Sequence, residues 1–404
     1  MSGQQTDTAT PVRQGLAHRA ARIRAGDESA FFQLLRLAEG RKGIITLGRG
    51  EPDIPTPAHI VEAAKRALDD GFTTYTNPAG MPALREAIAA KFDQDAGLTY
   101  NPANEIIVTS GAQEAIAVTM QTLLDPGDEV LLASPYYNAY EANILLAGGE
   151  PAPVMTNKSE AFQMMPAAIE ECITERTKLL ALVSPNNPSA AALEPETVRE
   201  IADLAVRRNL VVLWDELYEK VTYDGFKHLN IATLPGMRER TIVVNGFSKA
   251  YSMTGFRVGY MAGPADYIRA AVEPRHSLSI CTPTMSQHAA LAALTGPQEF
   301  LSEMIEEYTK RRNLMATAFD EVGVGYVLPK GAFYFWADIG DIGISSFEFC
   351  RRGVVDHNIL FFPGSMYGAD WDRYIRISFL APPDQLAEGL SRFKALHRAC
   401  QGAA

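Results

Sequence analysis

Cysteine is scarce in this sequence: Cys172, Cys281, Cys350 and Cys400 are the only four, far apart and without a CxxC pair. Such spacing suggests neither a disulfide framework nor a zinc site, and a reducing, cytoplasmic setting is the expectation. Positive charge is also in deficit. The chain has 37 Lys and Arg against 48 Asp and Glu, a formal charge of -11. No basic field gathers phosphate backbones or anionic lipid, so neither nucleic acid nor a membrane surface is an expected partner. No uncharged apolar stretch reaches roughly 18 residues, and "MSGQQTDTATPVRQGLAHRAARIRAG" lacks an apolar signal core, so neither a membrane span nor signal-peptide secretion is expected. The 7 histidines are scattered without ligand spacing, and no metal is expected. The glycines Gly48 and Gly50 form only an incomplete dinucleotide pattern.

What is present is a globular composition, 47% hydrophobic over 404 residues, enough for two domains or one large α/β unit. Residues 1–29 read as a polar arm, ended by the amphipathic "FFQLLRLA". Short β-branched or leucine-rich runs then alternate with helical stretches: "EIIVTS", "QEAIAVTMQTLL", "EVLLAS", "AYEANILLAGG", "KLLALVS", "PETVREIADLAVRRN", "LVVLWDE", "TIVVNGFS" and "RVGYMAG". This alternation predicts an α/β fold, a mostly parallel central sheet with helices on both faces, over residues 59–296. Runs such as "KLLALVS" are apolar throughout, as strands covered on both faces should be. From residue 297 a long charged helix and the runs "GYVLP", "AFYFWADI", "ILFFPG" and "YIRISFL" indicate a smaller α+β domain. Residues 30–58, with the early strand "GIITLG", are expected to join it.

Ligands of open α/β sheets sit outside the carboxyl ends of the strands, so the polar residues there are the candidates. "IIVTSGAQEAI" passes from strand to helix through Ser110, Gly111, Ala112 and Gln113, which is either a phosphate seat or a plain N-cap. "LLASPYYNAY" presents Tyr136, Tyr137 and Tyr140, of which one could cover a flat ring or simply pack under a loop. In "SPNNPSA", Asn187 precedes a proline and is held extended, able to aim its amide at a ligand oxygen. Asp215 ends the apolar "LVVLWD" and needs a partner, unless it caps a helix over "ELYEK"; Tyr218 follows at i+3. Lys249 ends "TIVVNGFSK" and is either a snorkelling surface cation, the commoner reading of this stretch alone, or an amine desolvated for Schiff-base chemistry. Arg257 opens "RVGYMAG" and suits an anion. Together these positions describe a phosphorylated, cationic-ring aldehyde: phosphate on Ser110, Gly111, Ala112 and Arg257, ring on Tyr137, ring nitrogen on Asp215, carbonyl at Lys249. That ligand is pyridoxal 5′-phosphate.

The motifs "LGRGEPD", "YTNPAGMPALREAI", "SGAQEAI", "SPYYNAY", "SPNNPSA", "WDELYE", "SKAYSMTGFRVGY" and "RISF" occur in an order and spacing that resemble the class I/II aminotransferases, fold-type I pyridoxal phosphate enzymes, over roughly residues 30 to 400. The resemblance implies that Lys249 carries the cofactor and moves the proton between substrate and cofactor. It implies that Asp215 pairs with the ring nitrogen, Asn187 and Tyr218 with the ring's 3-oxygen, and Tyr137 with the ring face. Phosphate contacts fall to Gly111, Ala112, Arg257 and Ser248. Tyr75 would reach the phosphate of a neighbouring subunit, implying a homodimer with shared sites. Arg376 of "YIRISFL" would clamp the substrate α-carboxylate with Gly50, and Arg49 is the candidate for a distal carboxylate. The family's asparagine, proline, threonine, glycine run appears here as Asn187, Pro188, Ser189, Ala190, which keeps Asn187, and Gly246 stands where some members carry a phosphate-binding hydroxyl. The expected activity is amino transfer between an L-amino acid and a 2-oxo acid, 2-oxoglutarate or pyruvate being the acceptor, with a carbon–sulfur lyase of the same fold as the alternative.

Overall fold

A computed structural model describes residues 29–401, so the arm expected over 1–29 lies, apart from Ser29, outside the described residues. The helix Ala30–Ala38 leads to a two-residue strand, β1 (Ile45–Thr46). The central sheet follows: β2 (Ile106–Thr109), β3 (Glu129–Ser134), β4 (Glu150–Met155), β5 (Thr177–Val183), β6 (Val211–Asp215), β7 (Thr241–Gly246) and β8 (Gly259–Ala262). Its order is β2-β8-β7-β6-β5-β3-β4. Every neighbouring pair is parallel except those made by β8, which runs antiparallel to both β2 and β7. The reason is local. Only a loop and one 3-10 turn, Thr254–Phe256, separate β7 from β8, and without a crossover helix the chain reverses.

The interior strands are apolar and buried because helices such as Ala112–Leu123 and Pro195–Arg207 cover the two faces with their own buried stripes. β4 is the exception. Its sequence, EPAPVM, carries Pro151 and Pro153 and does not read as a strand, yet it pairs with β3 alone at the sheet edge, where missing donors face no neighbour.

The C-terminal part adds β9 (Tyr334–Asp338), β10 (Ile359–Leu360), β11 (Phe362–Pro363) and β12 (Tyr374–Ser378). The single run "ILFFPG" serves two sheets. Its first half, β10, pairs in parallel with β1, and its second, β11, joins the antiparallel β11-β12-β9 sheet. "GYVLP" forms no strand; Gly325 alone bridges to Asp338, and Pro329 removes a donor a ladder would need. One apolar cluster joins Leu34, Ile45 and Leu47, with Ala190, Tyr218, Val221 and Tyr223, to side chains between Met304 and Cys400, while the clusters on the two faces of the central sheet draw on residues 60–293. No helix among the described residues is long and apolar enough to cross a membrane.

Candidate active site

Because the other six strands of the central sheet run the same way, their carboxyl ends share one edge, and the reversed β8 begins at that edge. Ser110, Asp215 and both ends of the turn from Gly246 to Arg257 therefore converge. Residues Gly48 to Glu51 and the side chains of Tyr334, Phe362 and Arg376 complete a cleft of about 450 Å³. Arg49, Gly50, Ala112, Gln113, Tyr137, Asn187, Asp215, Tyr218, Ser248, Lys249, Arg257 and Arg376, all singled out from the sequence, line it. Ser110, Gly111 and Tyr75 do not; Tyr75 is 76% exposed on the surface.

Asp215 lies at the floor, 5% exposed, between Val183 of β5 and Val244 of β7. Its partners are neutral donors. The Tyr140 hydroxyl donates to Oδ2 at 2.7 Å and the Leu217 amide to Oδ1 at 3.0 Å. Burial pushes the carboxyl up to about 6, against the downward pull of those two hydrogen bonds. "ELYEK" forms turns rather than a helix, so Asp215 caps no helix there.

Lys249 is not a surface cation. Its side chain is half-buried, its Nζ donates to the Gly50 carbonyl at 2.6 Å, and the Tyr218 and Phe333 rings lie 5.9 and 5.8 Å away. Desolvation, reinforced by the Arg376 and Arg257 charges, lowers its amine to about 8.

At the rim, Gly111 adopts φ +85°, a conformation costly for other residues, and precedes the helix that Ala112 opens. The Ser110 amide donates to Glu114 at 2.5 Å and the Gly111 amide to the Thr109 carbonyl at 2.8 Å. Neither amide is therefore free to meet an anion, which leaves those of Ala112 and Gln113, the first of the helix, whose donors have no intrahelical acceptor. Arg257 lies against Gly111: a Cβ there would come within 2.6 Å of Arg257 Nη2. The Arg257 guanidinium donates to the Thr254 carbonyl at 3.0 Å and pairs with no carboxylate among the described residues. Gly259 sets this geometry from beneath, since a Cβ on it would lie 2.7 Å from the Ala112 nitrogen.

Across the cleft, Arg376 projects from β12, 8% exposed. Nη1 donates to Asn187 Oδ1 at 3.1 Å and Nη2 to the Gly48 carbonyl at 3.0 Å, while Nε has no partner. No carboxylate among the described residues pairs with this buried cation, which instead lies 4.6 Å over the Tyr334 ring. The Tyr334 and Tyr218 hydroxyls meet at 3.2 Å.

Arg49 is exposed at the mouth. Tyr140, one of the three tyrosines that could cover a flat ring, lines the cleft as well, as do Tyr334, Phe31 and Phe362, to which the sequence assigns no individual role. Tyr140 had a signal: it lies three residues from Tyr137 and is turned inward by the helix Ala139–Ala147. Tyr334 lies in "GAFYFW", an aromatic run that suits aromatic or aliphatic substrate side chains without marking any one of its residues.

The family described as Aminotransferase class I and II matches residues 42–393. Among individual proteins, the chain is 40% identical over 375 residues to aromatic-amino-acid aminotransferase 2 of Thermococcus litoralis, covering 92% of this chain and 96% of that one. It is 40% identical over 372 residues to an aspartate aminotransferase of Pyrococcus abyssi, with the same coverage of 92% and 96%. The crystal structure of Pyrococcus protein-A1 superposes with a TM-score of 0.91 at 37% identity, over 94% of this chain and 99% of that one.

Proposed function

Because the chain belongs to the class I and II aminotransferases, enzymes that move an amino group between an amino acid and a 2-oxo acid, we propose that its cleft binds pyridoxal 5′-phosphate on Lys249 and an L-amino acid under Arg376. A carbon–sulfur lyase, the alternative from sequence, finds no support among these relatives. The observation that carries the proposal is Arg376: a buried guanidinium without a counterion, facing the same cleft as Lys249 and Asp215, needs an anion from outside. An α-carboxylate fits, since the arginine fork binds it bidentately and so fixes the Cα–H bond.

The remaining residues suit the cofactor's substituents. The helix N-terminus at Ala112 and Gln113, with the unpaired Arg257 and Ser248 beside it, fits a phosphate. Asp215 would hold a proton on the ring nitrogen, and the charge of that nitrogen would in turn draw the carboxyl below the value of about 6 that burial gives it. Tyr218 and Asn187 would meet the ring 3-oxygen, and Tyr137 the ring face. When bound, the cofactor supplies an electron sink for the bonds at substrate Cα. Once the donor's own amino group has displaced its nitrogen from the cofactor, Lys249 would take the Cα proton at Nζ and return it, and an amine lowered to about 8 makes the neutral form accessible for this. The enclosing walls of Tyr334, Phe362 and Phe31 limit the water that could compete for that proton.

Substrate range follows from the walls. Phe31 and Phe362, with ring centroids 5.0 Å apart, suit aromatic or aliphatic donor side chains, and Arg49 suits the distal carboxylate of 2-oxoglutarate. Pyruvate would use Arg376 alone. We assign residues 30–58 and 297–404 to a small domain and 59–296 to a large cofactor-binding one. The exposed Tyr75 is proposed to complete the phosphate site of a second copy, making a homodimer, and the cytoplasm is the proposed setting.

The test is direct. Protein loaded with pyridoxal phosphate should absorb in the visible, lose that band on adding a donor, and after borohydride reduction carry the cofactor on the Lys249 peptide. A donor panel should aminate 2-oxoglutarate or pyruvate. Absence of a bound chromophore, or of any transfer across the panel, overturns the proposal.

A further inference from the structure

Tyr334 and Tyr218 present an unbalanced proton count. Their hydroxyls share one hydrogen bond at 3.2 Å, and neither has another partner among the described residues. Two protons therefore serve one bond, and the second must point away from the pair, into the cleft that both residues line. Three observations give the direction. The Arg376 guanidinium lies 4.6 Å over the Tyr334 ring, and a cation on the face of a phenol strengthens it as a donor. Tyr218 has Lys249 5.9 Å from its ring and the Asp215 carboxylate nearby, the groups that flank the cofactor's ring. The Tyr334 oxygen abuts the wall at Gly50, where a Cβ would come within 3.2 Å of it, so that side leaves no room for a ligand atom.

We propose that Tyr334 is a positioning residue: it donates its proton to the Tyr218 oxygen and thereby turns the Tyr218 proton toward the ring 3-oxygen of the bound cofactor. This rests on the pyridoxal phosphate reading above. Tyr334 and Tyr218 then form a relay that begins beneath the substrate-binding arginine and ends on the cofactor. Other charges facing the pair are Arg376, Lys249 and Asp215, with the Tyr137 hydroxyl beside them.

The experiment is a pH titration of the visible absorbance of cofactor-loaded Tyr334→Phe, Tyr218→Phe and the double variant, alongside cofactor dissociation constants. Donation to the ring oxygen stabilises the deprotonated chromophore, so its loss raises the midpoint. Tyr334→Phe should move the midpoint up by about half a pH unit, Tyr218→Phe by more, and the double variant should match Tyr218→Phe. Tyr334→Met, which fills the space without a hydroxyl, should repeat the Tyr334→Phe shift. An unmoved midpoint in Tyr334→Phe, shifts that simply add in the double variant, or a shift in only one of the two Tyr334 variants overturns the relay. A parent protein with no visible band removes the cofactor reading as well, whereas a normal parent band with an unmoved variant removes only the role of Tyr334.

Discussion

The hydroxyl of Tyr140 donates to Oδ2 of Asp215 at 2.7 Å, the one side-chain hydrogen bond among the described residues on a carboxylate otherwise held by the Leu217 amide. Burial drives the Asp215 carboxyl up and this bond draws it down, leaving it at about 6. Tyr140→Phe removes the restraint without changing the ring. A hydrogen bond to a charged group contributes about 1.5–3 kcal/mol, which corresponds to about one to two pH units. In the cofactor-free protein the Asp215 carboxyl should therefore titrate higher by about that amount, read from its NMR signal, and in the loaded enzyme the acid limb of the pH–rate profile should move in the same direction, with activity near pH 8 much less affected. An unmoved limb would show that Tyr140 only fills space.

Lys249 gives a stability prediction with the opposite charge. Its folded-state value of about 8 lies below the ordinary lysine value of 10.5, so the apo fold holds a disfavoured ammonium at pH 7. That burden is full below about pH 8 and fades as pH rises toward 10.5, where the unfolded chain also loses the proton. Lys249→Met in the apo protein should melt higher than the parent at pH 7, by the equivalent of about 1–3 kcal/mol, and the gap should close by about pH 10. It should not transfer amino groups at any pH. Parallel thermal melts at three pH values decide it.

Gly259 carries a prediction about the phosphate rim. A Cβ there would meet the Ala112 nitrogen and the Gly111 carbon, both at 2.7 Å and both backbone, which cannot swing aside. Gly259→Ala should push the helix N-terminus off β8, costing about 1–3 kcal/mol of stability. Cofactor affinity should fall at least about tenfold, through displacement of the Ala112 and Gln113 amides. Equilibrium dialysis with pyridoxal phosphate measures the second effect separately from melting.

Which parts of this were legible in advance follows from how far each feature reaches along the chain. β3, β6 and β7 announce themselves because their covering helices force unbroken apolar runs. Asp215 stands out because it breaks such a run at its end. β4 is invisible because prolines are tolerated only by virtue of its edge position, which belongs to the sheet and not to the segment. Tyr140 and Tyr334 acquire meaning only through partners 75 and 116 residues away, Asp215 and Tyr218. Lys249 has the sequence context of a surface cation, and only the arrival of Gly50, 199 residues earlier, encloses it. The occupied Ser110 amide is hidden for the converse reason: Glu114 is so close in sequence that it looks like ordinary helix chemistry.

Arg376 separates binding from folding. Its charge is buried and its Nε unpartnered, so a neutral replacement relieves an uncompensated cation. Arg376→Leu should keep or raise apo stability while kcat/KM for every donor and acceptor falls by about 10²-fold or more. Arg376→Lys should recover little, because an ammonium cannot reproduce the fork. Steady-state kinetics with calorimetry on the same preparations would expose a merely structural arginine, whose loss would lower stability and leave KM alone.

Arg49 completes the contrast, because it lines the same cleft but is exposed, and no described residue pairs with it. Its loss should not touch the α-carboxylate. Arg49→Leu should lower kcat/KM for 2-oxoglutarate about tenfold, as fits one water-exposed charge-assisted contact, and leave pyruvate and apolar donors within about twofold. Raising the salt concentration should mimic the variant in the parent protein, since an exposed ion pair is screened where the buried Arg376 contact is not. Equal losses for 2-oxoglutarate and pyruvate would place Arg49 in the general structure of the cleft mouth and leave the distal carboxylate to another group.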